Sequence, residues 1–175
     1  PVSVRVTYEV TGANADRYWL YGGEARYALT DRTTIGARVV QADAPLGNAA
    51  RYGVQSGYVR HDTGTGGVWE AEAARSVDEN GTSDLAGRLS YDVRHEGESI
   101  SFEAIHTGQN FVVGGGLARA GTTQLRLRYG VEVSRKDAVS VAAEYVRDRK
   151  ADSRILTLDA LYARQFSDQL RGEVG

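Results

Sequence analysis

The chain has no cysteine, no methionine, two prolines and three phenylalanines among its 175 residues. Without cysteine, a disulfide scaffold and any thiolate metal site are excluded, and the absence fits a periplasmic or outer-membrane history. Nowhere does the sequence approach the ~20 consecutive apolar residues of a membrane-spanning helix, and no segment carries a helical period. Charge of one sign is also lacking: the formal net charge of −2 gives no electrostatic footprint for nucleic acid. A signal peptide is not visible, since strand-like sequence begins at Pro1, so a mature form or a piece of something longer is expected. The length accommodates one domain, residues 1–175, or a section of a larger barrel or protein.

What the chain does have is two-residue alternation. In Gln124–Val133, Leu125, Leu127, Tyr129, Val131 and Val133 point one way, while Gln124, Arg126, Arg128, Gly130 and Glu132 point the other. That period makes a β-strand with one apolar and one polar face. The polar face carries both signs of charge, which suits a strand between lipid and a wet lumen. The same pattern recurs in Val2–Val10, Tyr18–Leu29, Ile35–Val39, Leu85–Val93, Ile100–Ala104, Val139–Tyr145 and Leu156–Tyr162, and more weakly in Val68–Arg75. Between Tyr52 and Tyr58, alternation places Tyr52, Val54 and Tyr58 on the apolar face, opposite Gly53, Gln55 and Gly57. A last strand begins near Leu170. About eleven strands of roughly nine to thirteen residues follow, close to the ~9–11 residues of membrane strands and longer than the soluble mean of about five or six.

The connections alternate in kind. Short turns are predicted at Thr30–Arg32, Asp62–Gly67, His95–Glu98, Arg135–Asp137 and Ser167–Gln169. Longer polar links are predicted at Thr11–Arg17, Asp43–Ala49, Val77–Asp84, Gly108–Gly121 and Asp148–Arg154. The fold class is therefore all-β, an up-and-down antiparallel meander closing into a transmembrane barrel of about 10–12 visible strands.

The hairpins Tyr27–Ala37, Val133–Val141 and Arg164–Leu170 resemble the tight-turn hairpins of bacterial outer-membrane β-barrel proteins, and the resemblance extends over nearly the whole chain. It implies an aromatic girdle, a polar lumen, residence in the bacterial outer membrane, and lipid and the barrel-assembly machinery as partners. Two departures stand against the family pattern. Such chains end in an aromatic residue, whereas this one ends Glu173-Val174-Gly175, and eleven is an odd count where bacterial single-chain barrels use even ones. Both lead to the expectation of truncation, or of one section of a larger pore.

Lumen-facing candidates are Arg26, Arg38, Arg88, Asp92, Glu103, Arg126, Arg128, Glu132, Glu144 and Asp159. They would set solute selectivity, hold a plugged barrel by internal ion pairs, or form the solvent face of a soluble sheet. Mixed signs argue against strong selectivity for either ion charge. Membrane-interface aromatics are Tyr27, Tyr58, Trp69, Tyr91, Tyr129, Tyr145 and Tyr162, whose rings sit at the acyl boundary while their polar atoms reach headgroups; ordinary β-propensity is the alternative.

Of the histidines, His61 adjoins Asp62, so an Asp/His pair is conceivable, but exposed turn positions are the simpler account. Gly114-Gly115-Gly116 is followed by a strand, not the helix a phosphate loop needs, so a flexible external loop or one folded into the lumen is expected. No catalytic residue, cofactor or metal is assigned. The functional expectation is a passive pore for ions or small solutes. The rivals are a plugged barrel serving as anchor or adhesin with external loops binding a ligand, a barrel enzyme, and a soluble sheet.

Overall fold

A computed structural model describes residues 2–10, 19–43, 51–112, 119–167 and 170–175. The side chains of 2–10, 19, 167, 170 and 171 lie outside that description. So do the predicted links Thr11–Arg17 and 44–49, the middle of the turn at Ser167–Gln169, and Gly114-Gly115-Gly116.

All regular structure is β. The strands are β1 (Val2–Val10), β2 (Trp19–Ala28), β3 (Thr33–Asp43), β4 (Tyr52–Asp62), β5 (Gly67–Asp78), β6 (Ser83–His95), β7 (Glu98–Thr107), β8 (Thr122–Glu132), β9 (Asp137–Asp148), β10 (Ser153–Ser167) and β11 (Leu170–Val174). They form one eleven-stranded sheet in sequence order, each strand antiparallel to the next. β2 to β10 run from 10 to 15 residues, long for strands of a soluble domain. Among the described residues β1 and β11 do not meet, and the sheet has two edges.

Register fixes the faces, because a shift of one residue would send every side chain to the other side. Leu125 of β8 stands between Ala104 and Tyr145, and Leu127 between Phe102 and Ala143. The intervening Arg126 stands between Glu103 and Glu144. The alternation seen in the sequence is therefore continuous across the sheet, with one correction at β4. Gly36 is paired with Tyr58, and Arg38 with both Glu24 and Ser56. Tyr52, Val54 and Tyr58 thus share the charged face, and Gly53, Gln55, Gly57 and Val59 the apolar one. In β4 the larger side chains Tyr52, Val54 and Tyr58 lie on the charged face and glycines on the apolar one, so alternation of apolar size points to the opposite phase.

Two predicted long links are tight turns. Asp78 Oδ1 accepts hydrogen bonds from the N–H groups of Asn80 and Thr82. Asp148 Oδ1 accepts those of Lys150 and Ala151. An aspartate that bonds its own following backbone folds a turn locally, so β5–β6 and β9–β10 close over 79–82 and 149–152. At the opposite rim, Glu96 (φ 45°) and Gly97 (φ 83°) make the two-residue turn between β6 and β7, both in the left-handed region that such a hairpin requires.

Candidate functional site: a ladder of charge on one face

On the charged face, arginines and glutamates alternate across neighbouring strands. Glu24 of β2 meets Arg38 of β3 at 3.3 Å, and Arg38 reaches Glu72 of β5 at 3.4 Å. Glu70 of β5 contacts Arg60 at 3.5 Å and Arg88 of β6 at 3.3 Å. Arg88 contacts Glu103 of β7 at 2.9 Å, Glu103 contacts Arg126 of β8 at 3.2 Å, and Arg126 contacts Glu144 of β9 at 2.8 Å. Arg26 adds a looser contact to Glu24 at 3.8 Å. The two runs together extend from β2 to β9 and hold equal numbers of arginines and glutamates, so the ladder itself carries no net charge. A strand spacing of about 4.8 Å puts opposite charges on adjacent strands within reach of one another. That is why residues as far apart in sequence as Glu103 and Arg126 form these pairs.

Tyr58 is built into this face. Its hydroxyl donates to Glu24 Oε1 at 2.6 Å, and the Arg38 guanidinium lies 4.4 Å from its ring centroid. Gly36 makes the room, since a Cβ there would run into the Tyr58 ring. Tyr58 is therefore not among the aromatics of the apolar face: its side chain is buried at 8% exposure against charged groups. Beyond the ladder, the described part of the face is hollowed in places. One hollow of about 200 Å³ is bounded by Arg88, Asp92, Glu103, Arg126 and Arg128. A larger one of about 490 Å³ lies towards the short-turn rim beside the small residues Ser99, Gly130, Ser140 and Ala163.

All ten charged candidates from the sequence share this face by register. Arg26, Arg38, Arg88, Glu103, Arg126 and Glu144 belong to the ladder, and Asp92 and Arg128 border the smaller hollow. Glu132 stands at the short-turn rim beside Gly97, where it would meet a Cβ. Asp159 faces Ala142 across β9. Four ladder members are not among the lumen-facing candidates of the sequence: Glu24, Arg60, Glu70 and Glu72. Arg60 shares the phase of Tyr58 on β4, whereas Glu70 and Glu72 face away from Trp69, Ala71 and Ala73 in the weaker alternation of β5.

The other face has the opposite character. Val39, Leu85, Leu127, Leu156 and Leu158 are exposed, the last at 69%. The glutamates of the ladder are more shielded than these leucines: Glu70 is 16% exposed and Glu72 18%. Among the described residues, the buried apolar side chains are Ala42, Tyr58, Phe111 and Ala163, and no layer of structure covers the apolar face. Tyr27, Trp69, Tyr91, Tyr129, Tyr145 and Tyr162 stand on it. Trp69 and Tyr91 stack at 4.2 Å between ring centroids, and Tyr162 donates its hydroxyl to Asp137 Oδ1 at 2.5 Å.

The described part of the β7–β8 link crosses the charged face at the opposite rim. Asn110 N–H donates to Asp84 Oδ2 at 2.8 Å, and Val112 N–H to Ser76 Oγ at 2.9 Å. This carries the arm 108–112 back over β6 to β5 and buries Phe111.

No Asp/His pair forms. Asp62 turns to accept the Gly64 N–H at 2.7 Å, whereas His61 Nδ1 meets Thr33 Oγ1 at 2.9 Å. Among the described residues no three His, Asp or Glu side chains converge as a metal site. Comparison with protein-family models, with characterised proteins and with solved structures gives no match for this chain.

Proposed function

We propose that this sheet is wall of a transmembrane β-barrel in a bacterial outer membrane, with the apolar face in lipid and the charged face lining a passive pore for ions and small solutes. One observation carries the reading: large aliphatic side chains are open to the surroundings on one face, while on the other a row of arginines and glutamates pair with one another across the strands. In water that arrangement leaves the hydrophobic free energy of the exposed leucines unrealised, at about 25 cal/mol per Å² of apolar area. In a bilayer it is satisfied, because lipid covers the apolar face and the wet interior solvates the ladder.

Lipid supplies no backbone partners, so the edges at β1 and β11 must be paired in the membrane. In an alternating meander the first and eleventh strands run the same way. Antiparallel closure therefore takes an odd number of additional strands between them. Neutrality of the ladder predicts weak selection between cations and anions, and the hollows on the charged face supply open volume.

A second reading, a filled barrel acting as an anchor, is favoured by the arm 108–112 laid across the charged face. Planar-bilayer recording separates the two after insertion has been checked by heat-modifiable migration. Stepwise conductance supports the pore. Stable insertion without conductance supports the anchor, and failure to insert contradicts both.

A further inference from the structure

At the rim carrying the 149–152 turn, the lower edge of the apolar face gives way to a row of polar side chains. His106 of β7 pairs with Thr123 of β8, Thr123 with Arg147 of β9, and Arg147 with Arg154 of β10. These four positions lie in one register row, on the same face as Leu125, Tyr145 and Leu156 one row further in. Arg147 and Arg154 are exposed and stand directly opposite each other. Like charges at that spacing repel. Arg149 is aimed at the same place: its guanidinium donates to Thr123 Oγ1 at 3.2 Å, to the Thr107 carbonyl, and lies 3.2 Å from His106 Nδ1.

The contrast with the other face is what points to a ligand. Every arginine of the ladder has a carboxylate partner, whereas Arg147, Arg149 and Arg154 have none within 4.0 Å among the described residues. The nearby Asp148 carboxylate is turned into its own turn, accepting the Lys150 and Ala151 N–H groups. Three arginines, a hydroxyl and an imidazole therefore share the rim where an apolar band ends; the Asp84 carboxylate of β6 partly offsets Arg149 and His106, whereas Arg147 and Arg154 have no carboxylate within 4.0 Å among the described residues. Guanidinium forks match the oxygens of a phosphate, and arginines at a membrane surface attract anionic headgroups.

We propose that this cluster docks the phosphate of an anionic lipid headgroup, with the acyl chains lying along Leu125, Tyr145 and Leu156. The inference rests on the membrane reading above. It assigns to Arg147 and Arg154 the main charge contacts and to Arg149 the role of closing the site against Thr123 and His106.

The test is native mass spectrometry of the purified full chain, released from micelles doped with equal phosphatidic acid and phosphatidylcholine. Phosphatidic acid should be retained preferentially. Arg147→Gln with Arg154→Gln should lower that retention about thirtyfold, since each arginine near an anionic surface contributes about 1 kcal/mol. Arg147→Lys with Arg154→Lys keeps the charge and should retain most of the binding. Arg135→Gln, on a turn at the opposite rim, should change nothing. Equal retention of the two lipids by the wild type, unchanged retention in the double Gln variant, or the same loss in Arg135→Gln would overturn the proposal. So would displacement of the lipid by inorganic phosphate at equal concentration, since that would assign the site to a free anion. Insertion of the wild type into phosphatidylcholine vesicles is scored separately, by heat-modifiable migration. A chain that inserts without lipid preference overturns this inference alone, and one that does not insert overturns the membrane reading and this inference with it.

Discussion

The two faces of the sheet use the same backbone and opposite chemistry. On one, Arg38, Arg88 and Arg126 are each held between two glutamates. On the other, Leu127 and Leu158 have no covering partner. A soluble sheet buries its aliphatic face and leaves its charges to water. Here the charges are organised among themselves and the aliphatics are left to the surroundings. On the membrane reading proposed above, the surrounding media and not an internal core complete this fold, each face being matched to a different medium.

The comparison breaks most visibly by placing a charge on the wrong face. Leu127→Arg should destabilise the inserted protein by ~2–4 kcal/mol if it lies near the bilayer midplane. The neighbouring Arg126→Leu should leave insertion intact. Urea unfolding from vesicles, followed by tryptophan fluorescence, measures both, and equal costs for the two would mean the faces are not in different media. Next in size is Gly36→Ala. Its new Cβ would run into the Tyr58 ring, pulling the hydroxyl away from Glu24. Overpacking of this kind costs ~1–3 kcal/mol, and the same unfolding midpoint reports it. Gly57→Ala on the apolar face, where a Cβ would meet only the Gly36 carbonyl at ordinary distance, should be close to neutral.

These sites also show how much was legible beforehand. The strands, their order and the antiparallel meander follow from alternation alone, because β8 and β10 carry an apolar side chain at nearly every second position. β4 did not yield its phase. Tyr58 reads as apolar by composition, yet it is amphipathic and its hydroxyl is engaged by Glu24 of a strand that is not its neighbour. Which charges pair was likewise out of reach, since the partners of Arg38 and Arg88 lie across strands whose register had to be known first. In the sequence the turns at 79–82 and 149–152 resemble longer links, because Asp78 and Asp148 look like loop polarity. Their role in folding the turn appears only once their carboxylates are seen to accept the following N–H groups.

Smaller changes sharpen the contrast within the ladder. Arg126→Gln leaves Glu144 without its ladder arginine and gives the ladder a net negative charge. As a partly exposed pair it should cost only ~0–1 kcal/mol, but in a conducting pore the reversal potential in a salt gradient should move towards the cation. Glu103→Gln should move it the other way, and no shift in either variant would remove the ladder from the permeation path. The smallest expected effect is at the β6–β7 turn. Glu96→Asn suits the positive φ better and should stabilise by about 0.5 kcal/mol, read as a small rise in the unfolding midpoint.

The natural sequence has no cysteine, so single thiols can be introduced without background. The most direct measurement is to place one at position 126 and another at position 127, insert each protein into vesicles, and label with a membrane-impermeant maleimide. The account predicts rapid labelling at 126 and protection at 127, with a fluorophore attached at 127 before insertion quenched by bromolipid. Equal labelling at both positions, or quenching at 126 instead of 127, would contradict it.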